Sequence, residues 1–249
     1  MSGGTGITFP VDSRRICTHP LGGGAVWTPA DLGALYEADW DAMSGITITS
    51  GRVSGWADKT TNGHDGVQAN AADQPVVASG VANGLDAVLF AIAGTEFLTL
   101  AAALGGTAGH LFAIVKGTTD SGVNTGPPVY AGSAAPQSYF PFTDGTIYES
   151  FGSTTRQTTS NPAATLVAFN CYEVVSASGR FTNRLNGVEL YATGTNTVGW
   201  AAVQKIGGGP SVYFDGWIAR AIVCGAELTG ANLVSMRAYL TATYGVAFP

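Results

Sequence analysis

Residues 180–192 read RFTNRLNGVELYA, two short alternating runs joined by Asn186-Gly187. An Asn-Gly pair accepts positive φ at both central positions of a two-residue turn, which matches the twist of the strands it joins. The hairpin this predicts sets Leu185 opposite Val188 and Arg184 opposite Glu189, so packing and charge agree. The same pattern, a strand-length apolar run closed by Gly, Asn, Asp or Pro, recurs at 46–48, 52–57, 87–92, 96–100, 110–116, 139–142, 146–151, 165–175 and 212–224. Many such runs with frequent turn signals predict an all-β chain folded as a two-sheet antiparallel sandwich.

Composition agrees. Hydrophobic residues make up 45% of the 249, enough for a sizeable core. The chain holds 35 glycines and 11 prolines, the punctuation that many short strands need. Charged residues are only 11%, against about 25% in an average domain. With a net charge of −6 and Arg14-Arg15 as the one basic pair, nucleic-acid binding is not expected. No apolar stretch is long enough to span a membrane, and no export signal is expected at the N-terminus. Cys17, Cys171 and Cys224 show no metal-ligand spacing and read as reduced thiols.

One short helix is predicted at the C-terminus. Thr229 stands as its N-cap, and Leu233, Met236, Leu240 and Tyr244 form one apolar stripe at helical spacing. Gly245 ends it in the left-handed conformation. Residues 1–27 have glycine clusters and no sustained periodicity. They read as an extended N-terminal arm before a domain at 28–249, with Phe9, Arg14, Arg15, Ile16 and Leu21 as candidate partner-docking residues.

Several segments together carry a family likeness: 27–32 (WTPADL), 53–64 (VSGWADKTTNGH), 83–90 (NGLDAVLF), 94–98 (GTEFL), 214–219 (FDGWIA), and the closing helix with Tyr244-Gly245-Val246. In order and spacing they resemble the concanavalin A-like/laminin-G-like domains common in tailed-bacteriophage virion proteins and bacterial surface proteins. The resemblance implies a concanavalin A-like jelly roll; it implies no activity, because such folds host lectins, hydrolases and inert modules. The chain departs from the pattern at Asn232, where a Glu usually completes a capping box, and at Arg220, where an acid usually stands.

The chemistry-bearing residues are few. Glu37, Asp39 and Asp41 would share one face of a strand, as the acid trio of jelly-roll glycosidases does. The third acid is Asp and the segment opens the domain, so an edge strand with solvated or turn-forming carboxylates is expected instead. Asp58, Asn62, His64 and Asp65 could offer oxygens to Ca²⁺, or could close a turn on their own backbone; the turn is expected. His19, His64 and His110 lie far apart, and Gly207-Gly208-Gly209-Pro210 reads as a loop. Tyr139, Tyr148, Tyr191 and Trp200 sit in or beside loops and hairpins, where flat rings could stack on a sugar.

No catalytic, metal or cofactor residues are expected. The leading expectation is a non-enzymatic virion structural protein of a tailed phage, a capsid decoration or tail component assembled in the host cytoplasm. It would be present as a homo-oligomer or in many copies and docked on other virion proteins through its arm. The alternative is a lectin-like carbohydrate-binding module recognising host surface glycans.

Overall fold

The computed structural model describes residues 26–134 and 137–249. In chain order the strands are β1 (Tyr36–Asp41), β2 (Ile46–Thr49), β3 (Arg52–Trp56), β4 (Gly66–Val67), β5 (Val76–Ala82), β6 (Leu85–Phe90), β7 (Leu98–Leu100) and β8 (Ala108–Gly117). There follow β9 (Val129–Gly132), β10 (Tyr148–Glu149), β11 (Gln157–Thr158), β12 (Asn170–Ala177), β13 (Arg180–Leu185), β14 (Val188–Thr193), β15 (Trp200–Ile206) and β16 (Gly216–Cys224), then helix α1 (Gly230–Tyr244).

They make two large antiparallel sheets. The eight-stranded sheet runs β14-β13-β12-β8-β16-β6-β5, with β1 also on β16; the six-stranded sheet runs β2-β3-β4-β7-β15-β9. Strand β16 is shared along one edge: Gly216–Ile218 pair with β6, and Arg220–Cys224 with β1. Strands β10 and β11 form a separate pair.

Alternation along the central strands builds two cores. Leu111, Ala113 and Val115 of β8, with Tyr172 and Val174 of β12, pack against Val53, Trp56, Leu98, Val129 and Ile206 of the other sheet. Phe112, Ile114, Cys171, Ile222 and Cys224 face the opposite way and meet Met236, Leu240 and Tyr244 of α1. Both faces of β8 are therefore covered, which is why it reads as an unbroken apolar run.

The hairpin and the helix are as the sequence predicts. Leu185 pairs with Val188 and Arg184 with Glu189, and Asn186 and Gly187 have φ of 53° and 78°. Thr229 is the N-cap of α1, though its side chain makes no capping hydrogen bond, and Gly245 closes the helix at φ 72°. Trp27 packs edge-on against Tyr239 of α1. Cys171 and Cys224 are free and buried.

Three expectations need correcting. Residues 139–142 are not a strand: only a single bridge, Tyr139 to Tyr148, forms there. Pro141 has no N–H to give a ladder. Strands β4, β5, β9, β11 and β15 fall outside the expected runs; β4 and β11 are two residues each, β5 holds Gly80 and β15 opens on Trp-Ala-Ala, so none shows clean alternation. The carboxylates of β1 are not solvated: Asp39 and Asp41 are buried and paired with Arg220.

Candidate functional site

Helix α1 covers the outer face of the eight-stranded sheet, while the outer face of the six-stranded sheet has no such cover among the described residues. Strand β15 sends Gln204 and Ile206 inward, and its outward Val203 is 58% exposed. Lys205 stands opposite Thr99 of β7 on one side and Tyr130 of β9 on the other. Thr99 in turn stands opposite Val67, itself 46% exposed.

On this face lies an open depression of about 430 Å³, lined by Tyr130, Ser133, Trp200, Val203, Lys205 and Pro210 among others. That volume suits a small ligand. Aromatic carbon, two hydroxyl-bearing side chains and one cation line it, and no acidic side chain does.

Trp200 is held in place before any ligand arrives. Its Nε1–H donates to the Gly106 carbonyl at 2.9 Å, and its ring meets Phe151 edge-on at 5.3 Å. The ring tip lies over two glycines: a Cβ at Gly109 would stand 2.7 Å from Cη2, and one at Gly152 would stand 2.9 Å from it. Tyr130 is nearly buried, and burial raises its phenol pKa above the ordinary tyrosine value.

Lys205 is held as firmly. Its ammonium lies 3.8 Å from the centre of the Phe97 ring, which is stacked on Tyr213, and it donates to the Gly209 carbonyl at 3.4 Å. Burial lowers its pKa, partly offset by the field of Asp73. The Asp73 carboxylate is engaged elsewhere, by Asn70 Nδ2 at 2.7 Å and Thr95 Oγ1 at 2.9 Å.

Of the four aromatic residues expected to contact a glycan, only Trp200 lines the depression. Tyr139 and Tyr148 do come together, in a cluster with Phe142 at 4.9–5.5 Å. Their rings meet edge to face, and the Arg156 guanidinium lies over Tyr148 at 4.5 Å, so that ring face is taken. Tyr191, like Trp200, packs against the core, but it does not line the depression, and its hydroxyl donates to Gln157 Oε1 at 3.0 Å. Tyr130, Ser133 and Lys205 were missed because β9 and β15 were missed; a regular strand over 200–206 would set Lys205 on the face opposite Trp200, and it is the register shift between the two that lets both line the depression. Phe9, Arg14, Arg15, Ile16 and Leu21 lie outside the described residues.

The acidic clusters are occupied by the fold. Asp58 accepts hydrogen bonds from the amides of Asp39, Thr60 and His64 and from Thr60 Oγ1, and Asp65 accepts from the Asp58 amide. The Asx turn expected there is what forms. A bulge after Tyr36 splits the trio of β1: Glu37 meets His64 Nε2 at 3.2 Å, while Asp39 and Asp41 meet Arg220. No helix among the described residues is long and apolar enough to cross a membrane.

No protein-family model and no curated protein sequence matches the chain. Solved structures do. Domain 4 of a GH43 extracellular arabinanase from Geobacillus stearothermophilus, in complex with arabinotriose, is similar at a TM-score of 0.54 and 13% identity, over 81% of this chain and 98% of that one. A Trypanosoma rangeli sialidase in complex with the inhibitor DANA is similar at 0.54 and 16% identity, over 88% of this chain but only 34% of the sialidase. A GH54 α-L-arabinofuranosidase is similar at 0.51 and 12% identity, over 82% of this chain and 58% of that one. At these identities the likeness is one of fold: a β-sandwich of the kind found in glycosidases and sialidases.

That company corrects the expectation of a non-enzyme. The structures similar to this chain belong to glycoside hydrolases and a sialidase, so the fold does not set the chain apart from proteins that cleave glycosidic bonds. None of the three is a virion protein.

Proposed function

We propose that this chain is a carbohydrate-binding domain, lectin-like in its jelly-roll fold, and that it takes a sugar in the depression on the outer face of the six-stranded sheet. The observation that carries this is Trp200, locked by Gly106, Gly109, Phe151 and Gly152 at the wall of an open depression beside Tyr130 and Ser133. A fixed indole stacks on a sugar face without losing further side-chain freedom, and nearby hydroxyls orient the ring. The arabinanase domain solved with arabinotriose supports the reading, because this chain matches nearly all of that domain. The comparisons favour it over a virion component docked through its arm.

A glycan array followed by calorimetry tests it. The expected result is at least one bound oligosaccharide whose affinity falls about tenfold or more in Trp200→Ala, roughly 1.4 kcal/mol or more, and is unchanged in Tyr191→Phe. An empty array, or a Trp200→Ala variant that binds as before, would overturn it.

A further inference from the structure

We infer that the sugar bound in this depression is acidic and that Lys205 reads its carboxylate, a specificity that rests on the carbohydrate-binding reading above. The chain is acidic overall, at net −6, and places most of its cations against its own acids. Arg52, Lys59, Arg180, Arg184, Arg220 and Arg237 all form ion pairs. Among the described residues only Lys116, Arg156 and Lys205 do not, and of these only Lys205 lines the depression.

Its environment explains why an anion is the matching partner. Lys205 is half-buried and makes no ion pair; the Phe97 ring, the Gly209 carbonyl and the field of Asp73 compensate its ammonium only in part. A neutral sugar would offer hydroxyl dipoles. A carboxylate would supply the missing charge in a partly desolvated setting, where charge-assisted hydrogen bonds are roughly twice as strong as neutral ones. The depression also has no acidic wall to repel it. Arg156 is linked to the rim of the depression through Gln137: its Nη1 donates to the Gln137 carbonyl at 3.2 Å, and Gln137 Oε1 accepts from the Ser211 amide beside Pro210.

The test is calorimetry on the full chain with two matched pairs: oligogalacturonate against its methyl ester, and sialyllactose against lactose. The pairs separate a uronate from a sialate as the source of the carboxylate. The expected result is that one acidic member binds about tenfold or more tighter than its neutral counterpart, with an advantage that shrinks as salt rises. Lys205→Gln should abolish that advantage, lowering the affinity for the acidic member about tenfold or more to the level of its neutral counterpart, and Lys205→Arg should keep it. Equal binding within both pairs, lost in Trp200→Ala, would overturn the acidic specificity and leave the carbohydrate reading standing. An advantage that survives Lys205→Gln would overturn the role of Lys205. No binding of any of the four, together with an empty glycan array, would overturn both.

Discussion

Arg220 on β16 holds Asp39 on β1 with both prongs of its guanidinium, Nε to Oδ1 at 2.8 Å and Nη2 to Oδ2 at 2.5 Å, with both side chains out of water. A bulge between Ile218 and Arg220 adds one residue to β16 and turns Arg220 to the side where α1 lies. There it also meets Asp41 at 3.4 Å and the Tyr239 hydroxyl of α1. One cation thus joins two strands and the helix. Strand β1 supplies both of its counter-charges.

Removing one partner should cost far more than removing both. A buried ion pair roughly offsets its own desolvation, but a lone buried charge does not. Arg220→Met is expected to lower stability by about 3–5 kcal/mol, and Arg220→Met with Asp39→Leu and Asp41→Leu to recover most of that. Urea unfolding of the two variants checks it; a single variant as stable as the wild type would dismiss the pair as a structural linchpin.

The β13–β14 turn makes a second prediction. Gly187→Val should destabilise by roughly 1 kcal/mol or more, because it forces a β-branched side chain to positive φ. The new Cβ would also stand 3.2 Å from Phe248 and 3.4 Å from Arg237. Asn186→Ala should cost at least as much: the Asn186 side chain accepts from the Cys171 amide at 2.8 Å and donates to Asn170 Oδ1 at 2.7 Å. Thermal melting that is unchanged in both would rule this out.

His110 sets part of the acid limit. It is fully buried, its Nδ1 accepts from the Leu228 amide at 3.1 Å, and its Nε2 has no partner. Burial, reinforced by Arg184, Arg237 and Arg180, pushes its pKa well below 6.5. The unfolded chain therefore takes up a proton near pH 6.5 that the folded chain refuses. Its contribution to stability is intact above that pH and is lost as the pH falls below it, by up to about 1.4 kcal/mol per pH unit. A His110→Gln variant should show a flatter decline of melting temperature on the acid side. Parallel curves for variant and wild type would show that other groups dominate.

Legibility followed local chemistry. The Asn186-Gly187 turn and the α1 stripe carry their geometry in neighbouring residues, and both were readable. The three-layer arrangement was less so, because the Leu111–Val115 run looks alike whether one face is covered or two. The site was least legible. Trp200 is conspicuous as a residue type, but Lys205 acquires meaning only once β15 is set between β7 and β9, and that is a fact of long-range pairing. Tyr139 and Tyr148 misled for the converse reason: their sequence context does not show Arg156 lying over the ring.

The seat of Trp200 offers the most direct check that the site is preorganised. Gly109 lies in β8, where a strand would ordinarily carry a side chain. A methyl there would stand 2.7 Å from Trp200 Cη2, closer than carbon atoms approach, and a tight 3.1 Å from Phe151 Cε1. The indole would have to shift, with Phe151 giving by a few tenths of an ångström, and the shift would strain the indole's hydrogen bond to Gly106. Gly109→Ala is therefore expected to cost about 1–3 kcal/mol of stability and to weaken sugar binding as much as Trp200→Ala does. Gly105→Ala is the matched control. Its Cβ meets nothing within 4 Å, so stability should hold or rise by a few tenths of a kcal/mol and binding should persist. Denaturant unfolding and calorimetry on both variants separate two effects. If Gly109→Ala loses stability yet binds as well as the wild type, the glycine serves packing alone and the fixed indole is not what the sugar requires. If it loses both while Gly105→Ala loses neither, the strand has given up a side chain in order to hold the ring where the ligand needs it.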